Sequence, residues 1–212
     1  MRAGLHRVLL KTYQQQHGDD WWSAYRKDFR RAIQNYETLR RKLDERLDQE
    51  RSRRGYGLTQ ALSPEEMQEL LSTIPEHLQQ EETKLRLAAE AYVGSCPVRV
   101  GDVVSFPTWQ MHSLQHGVRV IEFQTPHYER MIVMFGQKVL TQDHWNTEEA
   151  LAGMKPEVYQ PPQPELIWQR DGIRYERVVD FPDFDAFRLF VPTGQRIRLE
   201  GKGNYQLLML SL

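Results

Sequence analysis

The sequence predicts an α+β fold: a helical N-terminal half, then an antiparallel β-barrel or roll, then a second small β-segment. Three observations carry that prediction. Between Tyr25 and Leu47 the apolar residues Tyr25, Phe29, Ala32, Tyr36, Leu39, Leu43 and Leu47 recur in steps of four and three, the repeat of one helix face. After Cys96-Pro97 the repeat falls to two, as in short half-buried strands. Four prolines between Lys155 and Pro164 then separate this stretch from a second run of β-type segments.

Taken in order, residues 4–13 (GLHRVLLKTY) contain β-branched and aromatic side chains and are expected to form a strand. Gly18-Asp19-Asp20 ends it and offers an aspartate to cap the next helix. The Tyr25–Leu47 stripe then runs for about six turns, within a helix of about eight. Its opposite face mixes Arg, Lys, Asp and Glu, and Arg51, Arg53 and Arg54 read as part of a solvated face. So narrow a seam needs an antiparallel helical partner. Arg54-Gly55-Tyr56-Gly57 closes the helix. Ser63-Pro64-Glu65-Glu66 starts another, with a serine cap, proline at the first helical position and glutamate three residues after the cap. Pro75 interrupts that helix, and a further one runs to Gly94.

Beyond Cys96, short strands are expected at Val98–Val100, Val103–Val104, around His112, at Val118–Gln124 and at Arg130–Phe135, followed by a short helix over 147–151. The later strands fall at Leu166–Gln169, Ile173–Val179, Phe187–Val191, Arg196–Leu199 and Tyr205–Leu210. The chain thus divides into 1–18 (strand entry), 19–94 (helical bundle), 95–154 (barrel half), 155–165 (proline-rich linker) and 166–212 (second β-segment).

Composition narrows the function classes. At 212 residues, 40% of them apolar and 27% charged, the chain can bury a core in one or two domains. Its net charge of -1 supplies no basic field for nucleic acid. The lone Cys96 makes no internal disulfide. The N-terminal apolar run Val8-Leu9-Leu10 is too short for a signal peptide or membrane span. The expectation is a cytoplasmic protein with no nucleic-acid or membrane partner.

The chemistry concentrates between Gly101 and Arg130, GDVVSFPTWQMHSLQHGVRVIEFQTPHYER. Glycine, five residues, proline, four residues and histidine resemble the second motif of the cupin barrel. The longer pattern of Gly101, Asp102, Pro107, His112, Gly117, Glu122, Gln124 and Arg130 is similar to the metal-histidine strand of the type I phosphomannose isomerases. That resemblance implies metal ligation by His112, zinc or another divalent cation as cofactor, an active-site carboxylate at Glu122 and a catalytic guanidinium at Arg130. It also implies a sugar-phosphate substrate, mannose 6-phosphate interconverting with fructose 6-phosphate. Trp109 replaces the family's usual glycine and His116 stands where many cupins have asparagine, so the pocket mouth is expected to differ. Asp180–Leu189 resembles the opening of the family's C-terminal barrel.

The residue types suit the reaction. Aldose–ketose isomerisation moves a proton between adjacent carbons and stabilises an enediolate oxygen, tasks for a carboxylate base, a cation and a guanidinium. Strand alternation would place Glu122 and Gln124 on one face with Val118 and Val120. A metal needs three or four ligands, and the family draws the others from an earlier Gln-x-His strand and a glutamate. Gln15-Gln16-His17-Gly18-Asp19-Asp20 imitates that strand. The preferred alignment instead places 4–13 after it and treats 19–94 as an enlarged helical insertion, so that the chain covers the middle of a longer protein. Gln110 and His112 could pair as ligands; equally, His112 could cap a turn. His116, His127 and His144 read as surface or turn residues, and Trp109, Trp145 and Trp168 as core or rim aromatics. Two further functions stay open: a cupin-like binding or interaction protein without a metal, with homodimerisation through helices or β-edges, and a cupin metalloenzyme of other chemistry such as a dioxygenase.

Overall fold

The computed structural model describes residues 1–57, 59–125, 130–136, 142 and 144–200. The fold is α+β, in two compact units: Met1–Asp102 with Phe106–Gln160, and Val103–Ser105 with 161–200. The boundary falls inside the proline-rich stretch.

The first unit opens with strand β1 (Arg2–Leu5) and helix α1 (Arg7–His17). A 3-10 turn over Gly18–Asp20 leads into α2 (Trp21–Arg53), then α3 (Pro64–Ser72), α4 (Glu76–Glu90), β2 (Val93–Ser95), β3 (His112–Ser113) and α5 (Thr147–Gly153). The single strand expected at 4–13 is therefore corrected to a strand followed by a helix. His6 caps α1, its Nδ1 accepting the Leu9 N–H at 3.3 Å, and Leu9, Leu10 and Tyr13 turn onto the core at helical spacing. Two β-branched residues, Val8 and Thr12, do not outweigh that face.

α2 buries Tyr25, Phe29, Ile33, Tyr36, Leu39 and Leu43. Ile33 rather than Ala32 lies deepest, and Leu47 is half-buried. Its partner is α4. Ile74 meets Leu39 and Leu43, Tyr36 Oη donates to Glu82 Oε1 at 2.9 Å, and Tyr92 stacks on Phe29. These contacts run backwards along α2, so the two segments are antiparallel. The main core joins Leu5, Tyr13, Tyr25, Phe29, Ile33, Ala89, Val93, Leu151 and Met154. Burial pushes the phenols of Tyr13, Tyr25 and Tyr36 above their ordinary range, so they stay protonated and act as donors to Asp28, the Tyr92 carbonyl and Glu82.

One charged residue leaves the solvated face. Arg51 is buried, and its Nη2 donates to the carbonyls of Gly57 and Gln60 at 2.6 and 2.8 Å, clamping the loop that leaves α2. The start of α3 has the capping box its sequence spells. Ser63 Oγ accepts the Glu66 N–H at 3.1 Å and Glu66 Oε2 accepts the Ser63 N–H at 2.7 Å. Ser63→Ala should cost about 1 kcal/mol, read as a lower urea midpoint with an unchanged slope.

β1 is the middle strand of an open sheet ordered β2-β1-β3, antiparallel on both sides. Gly94, expected to end a helix, sits in β2. A Cβ there would stand 2.7 Å from the Ala3 carbonyl oxygen, so the close approach of two backbones requires glycine. Over 95–154 the expected barrel half is not present among the described residues, where β3 is the one strand and no sheet closes. Ile132 and Val133 bond instead to Asn146 and Thr147 at the start of α5. Val118–Gln124 has the alternation of a strand but no ladder partner among the described residues, and alternation without a partner leaves backbone groups to water.

The second unit is a meander of β4 (Glu165–Arg170), β5 (Ile173–Asp180) and β6 (Asp185–Phe190), in that order. Asp171 and Gly172 both have positive φ, the two-residue turn that suits a right-twisted hairpin. Trp168, Tyr175 and Phe187 form a row across the three strands. Glu176 is buried between Arg174 and Arg188. The strand expected at Arg196–Leu199 is absent, and that expected at Tyr205–Leu210 lies outside the described residues, as does His127.

Candidate functional site

β3 is an outer strand, and His112 is paired opposite Ala3 of β1. The imidazole is held from two directions. Phe106 stacks against it with ring centroids 4.1 Å apart and 2° between the planes, and Tyr159 lies 4.9 Å beyond Phe106. Nδ1 sits 2.8 Å from the Gln110 carbonyl oxygen. A carbonyl only accepts, so Nδ1 carries the hydrogen and Nε2 of the neutral ring carries the lone pair. The side chain is exposed. Gln110 is turned inward at 6% exposure, and its Nε2 is buried without a hydrogen-bond partner. The expected Gln110–His112 ligand pair is thus divided between interior and surface.

The chain around His112 reverses three times in the same way. Asp102 N–H donates to the Arg99 carbonyl at 3.1 Å, Gln110 N–H to Pro107 at 3.0 Å, and Val118 N–H to Gln115 at 3.2 Å. The third residue of each turn has positive φ: Gly101 at 88°, Trp109 at 66° and Gly117 at 83°. The second residues Val100, Thr108 and His116 do not, which is the type II pattern. The Asp102 carboxylate reinforces the first turn by accepting the Arg99 N–H at 2.7 Å. The motif positions Gly101, Asp102, Pro107 and Gly117 therefore all serve chain reversals, and Trp109 occupies a backbone conformation that glycine adopts without strain.

Glu122 and Arg130 are both exposed and lie outside regular secondary structure. The alternation meant to aim Glu122 and Gln124 together does not operate there. The imitation of a Gln-x-His strand at Gln15–Asp20 is helical, with His17 stacked on Tyr13. His6 is occupied as a cap, and His77 lies in α4.

Zinc or another divalent ion needs several donors converging. Among the described residues no three His, Cys, Asp or Glu side chains gather where they could hold one, so the metal role expected of His112 has no completed ligand set among these residues. A cavity of about 190 Å³ between α2 and α4, lined by Asp28, Arg31, Asn35 and Tyr92 among others, is smaller than typical small-molecule pockets. Among the described residues no helix is long and apolar enough to cross a membrane.

Sequence reasoning missed Phe106 as the platform for the imidazole, though its place six residues before His112 on an apolar stretch was visible. Nothing in the sequence singles out Gly153, against which Trp109 packs. Comparison with protein-family models, with curated proteins and with solved structures finds no match.

Proposed function

We propose that this chain is a phosphomannose-isomerase-like protein of cupin descent whose 101–130 segment serves sugar-phosphate isomerisation. The observation that supports the reading is the run of three type II turns at Gly101, Trp109 and Gly117. The resembled motif has glycine at all three positions, the residue that such turns favour, and His112 is presented on β3 between the second and third. In this reading Glu122 takes the proton from the carbon beside the carbonyl and returns it to its neighbour, and Arg130 offsets the oxyanion that develops between the two events. His112 is the metal-type ligand of the set, and no step is assigned to an ion the described residues do not enclose.

Turnover of mannose 6-phosphate to fructose 6-phosphate by the purified full chain, with its zinc content measured in parallel, tests the proposal. His112→Ala should abolish turnover, and Glu122→Gln should lower kcat by about 10²–10⁴-fold at unchanged thermal stability. Activity that survives both substitutions rejects the assignment.

A second reading, a cupin-like binding or interaction protein without catalysis, is favoured by the exposure of Glu122 and Arg130 outside any strand. It gains further support from the large apolar side chains exposed on the β4–β6 meander, among them Leu166, Trp168 and Phe190. An intact fold with neither zinc nor turnover decides for it.

A further inference from the structure

We infer that Trp109 is a positioning residue for the His112 imidazole, held in a strained backbone so that its indole can lock the turn on which His112 depends. Among the described residues only Trp109 and Asp171 combine a side chain with positive φ. Asp171 lies in a two-residue hairpin turn, where aspartate is at home. A bulky residue in the left-handed region is a genuine outlier, and such strain persists only where surrounding structure over-determines it.

That surrounding structure is α5. The indole lies so close over Gly153 that a Cβ there would stand 2.4, 2.5 and 2.7 Å from Cζ3, Cε3 and Cη2. The Trp109 carbonyl accepts the Lys155 N–H at 3.1 Å, giving a second attachment just beyond the helix. The next residue, Gln110, is buried, and its carbonyl holds His112 Nδ1 at 2.8 Å. A continuous path thus runs from α5 through the Trp109 ring and the turn backbone to one ring nitrogen of His112. Its output is chemical: it decides which nitrogen bears the hydrogen and which presents a lone pair. Trp109 is still 44% exposed, so burial of the ring alone does not account for its tolerating the strain. The inference rests on the reading of His112 as the group that meets the ligand, yet the tautomer can be measured whether or not the protein isomerises a sugar.

The test is nitrogen NMR of the histidine rings in the metal-free full chain near pH 8, with His112→Ala identifying the resonance. The native protein should show His112 with Nδ1 protonated. Trp109→Ala, which removes the indole but leaves a side chain in the left-handed backbone, and Gly153→Ala, which evicts the indole, should both shift His112 toward the mixed-tautomer signature of a free imidazole. Trp109→Phe should retain much of the native signature. Circular dichroism must find the helices intact, and if Gly153→Ala does not fold, the two Trp109 variants carry the test. A native tautomer in Trp109→Ala overturns the inference and makes Trp109 a packing residue only. Loss of the native tautomer in Trp109→Ala together with absent turnover in the parent protein would reject the isomerase reading and leave the positioning role standing.

Discussion

Gly4→Ala should destabilise the first unit by about 3 kcal/mol or more, because overpacking costs about 1–3 kcal/mol and the left-handed region about 1–2 kcal/mol in addition. Gly4 has φ +60°, and an added Cβ would stand 2.3 Å from Tyr159 N, 2.8 Å from Tyr159 Cβ and 2.9 Å from the Glu157 carbonyl oxygen. These are backbone or near-backbone atoms that cannot rotate away. Gly4 also donates to the Met111 carbonyl at 2.9 Å, and Leu5 donates to Glu157 at 2.9 Å. A displaced β1 therefore loosens both the segment before β3 and the bridge from Gly4 to Val158. Gly55→Ala is the control. Gly55 is the left-handed residue (φ +79°) of the turn that ends α2, with Gly55 N–H on the Ser52 carbonyl and Tyr56 N–H on the Arg51 carbonyl. Nothing lies within 4 Å of the added Cβ, so this variant carries the backbone term alone. Urea unfolding followed by tryptophan fluorescence separates the two, since Trp21 and Trp22 pack against the core. Equal losses for both variants would mean that the 157–159 contact does not hold β1.

Phe29→Ala is expected to cost about 3–5 kcal/mol. Phe29 is fully buried, stacks on Tyr92 with centroids 5.0 Å apart and planes 11° apart, and meets Tyr25 edge to face. Truncation leaves a cavity bounded by α2 and the segment following α4, where rigid aromatic neighbours limit collapse. At roughly 2–4 °C per kcal/mol for a chain of this size, the melting temperature should fall by about 6–20 °C. Val8→Ala on α1, with Val8 67% exposed, should change stability by no more than about 0.5 kcal/mol. A small Phe29 effect would imply that the aromatic cluster repacks and that α2 is held chiefly by its Leu39–Leu43–Ile74 end.

The helical part was legible because its signals are local and repeated. Tyr25, Phe29, Tyr36, Leu39 and Leu43 recur at a helix period, and Ser63 with Glu66 states a cap in four residues. The failures have a common cause in tertiary context. α1 was read as strand from a few β-preferring residues, whereas the face it buries decides its state. Arg51 was assigned to solvent with its charged neighbours, and no local pattern reports that two loop carbonyls await its guanidinium. Val118–Gln124 alternates well, but alternation cannot supply the neighbouring strand.

The candidate site was legible to the same degree. Gly101 and Gly117 were picked out as glycine positions of the resembled motif, and both have the positive φ that favours glycine. The place of His112 on a strand followed from its flanks. The convergence of Glu122 and Arg130 rested on a sheet absent among the described residues. Trp109 was noted as a departure from a glycine position, yet only coordinates reveal that the departure kept the glycine geometry.

The left-handed residues at 101, 109 and 117 have one more consequence. They fix how much chain separates one reversal from the next, and the imidazole reads that length closely. A residue inserted between Gln110 and His112 would part the ring from the carbonyl that now holds its Nδ1 and move it out of register with Ala3.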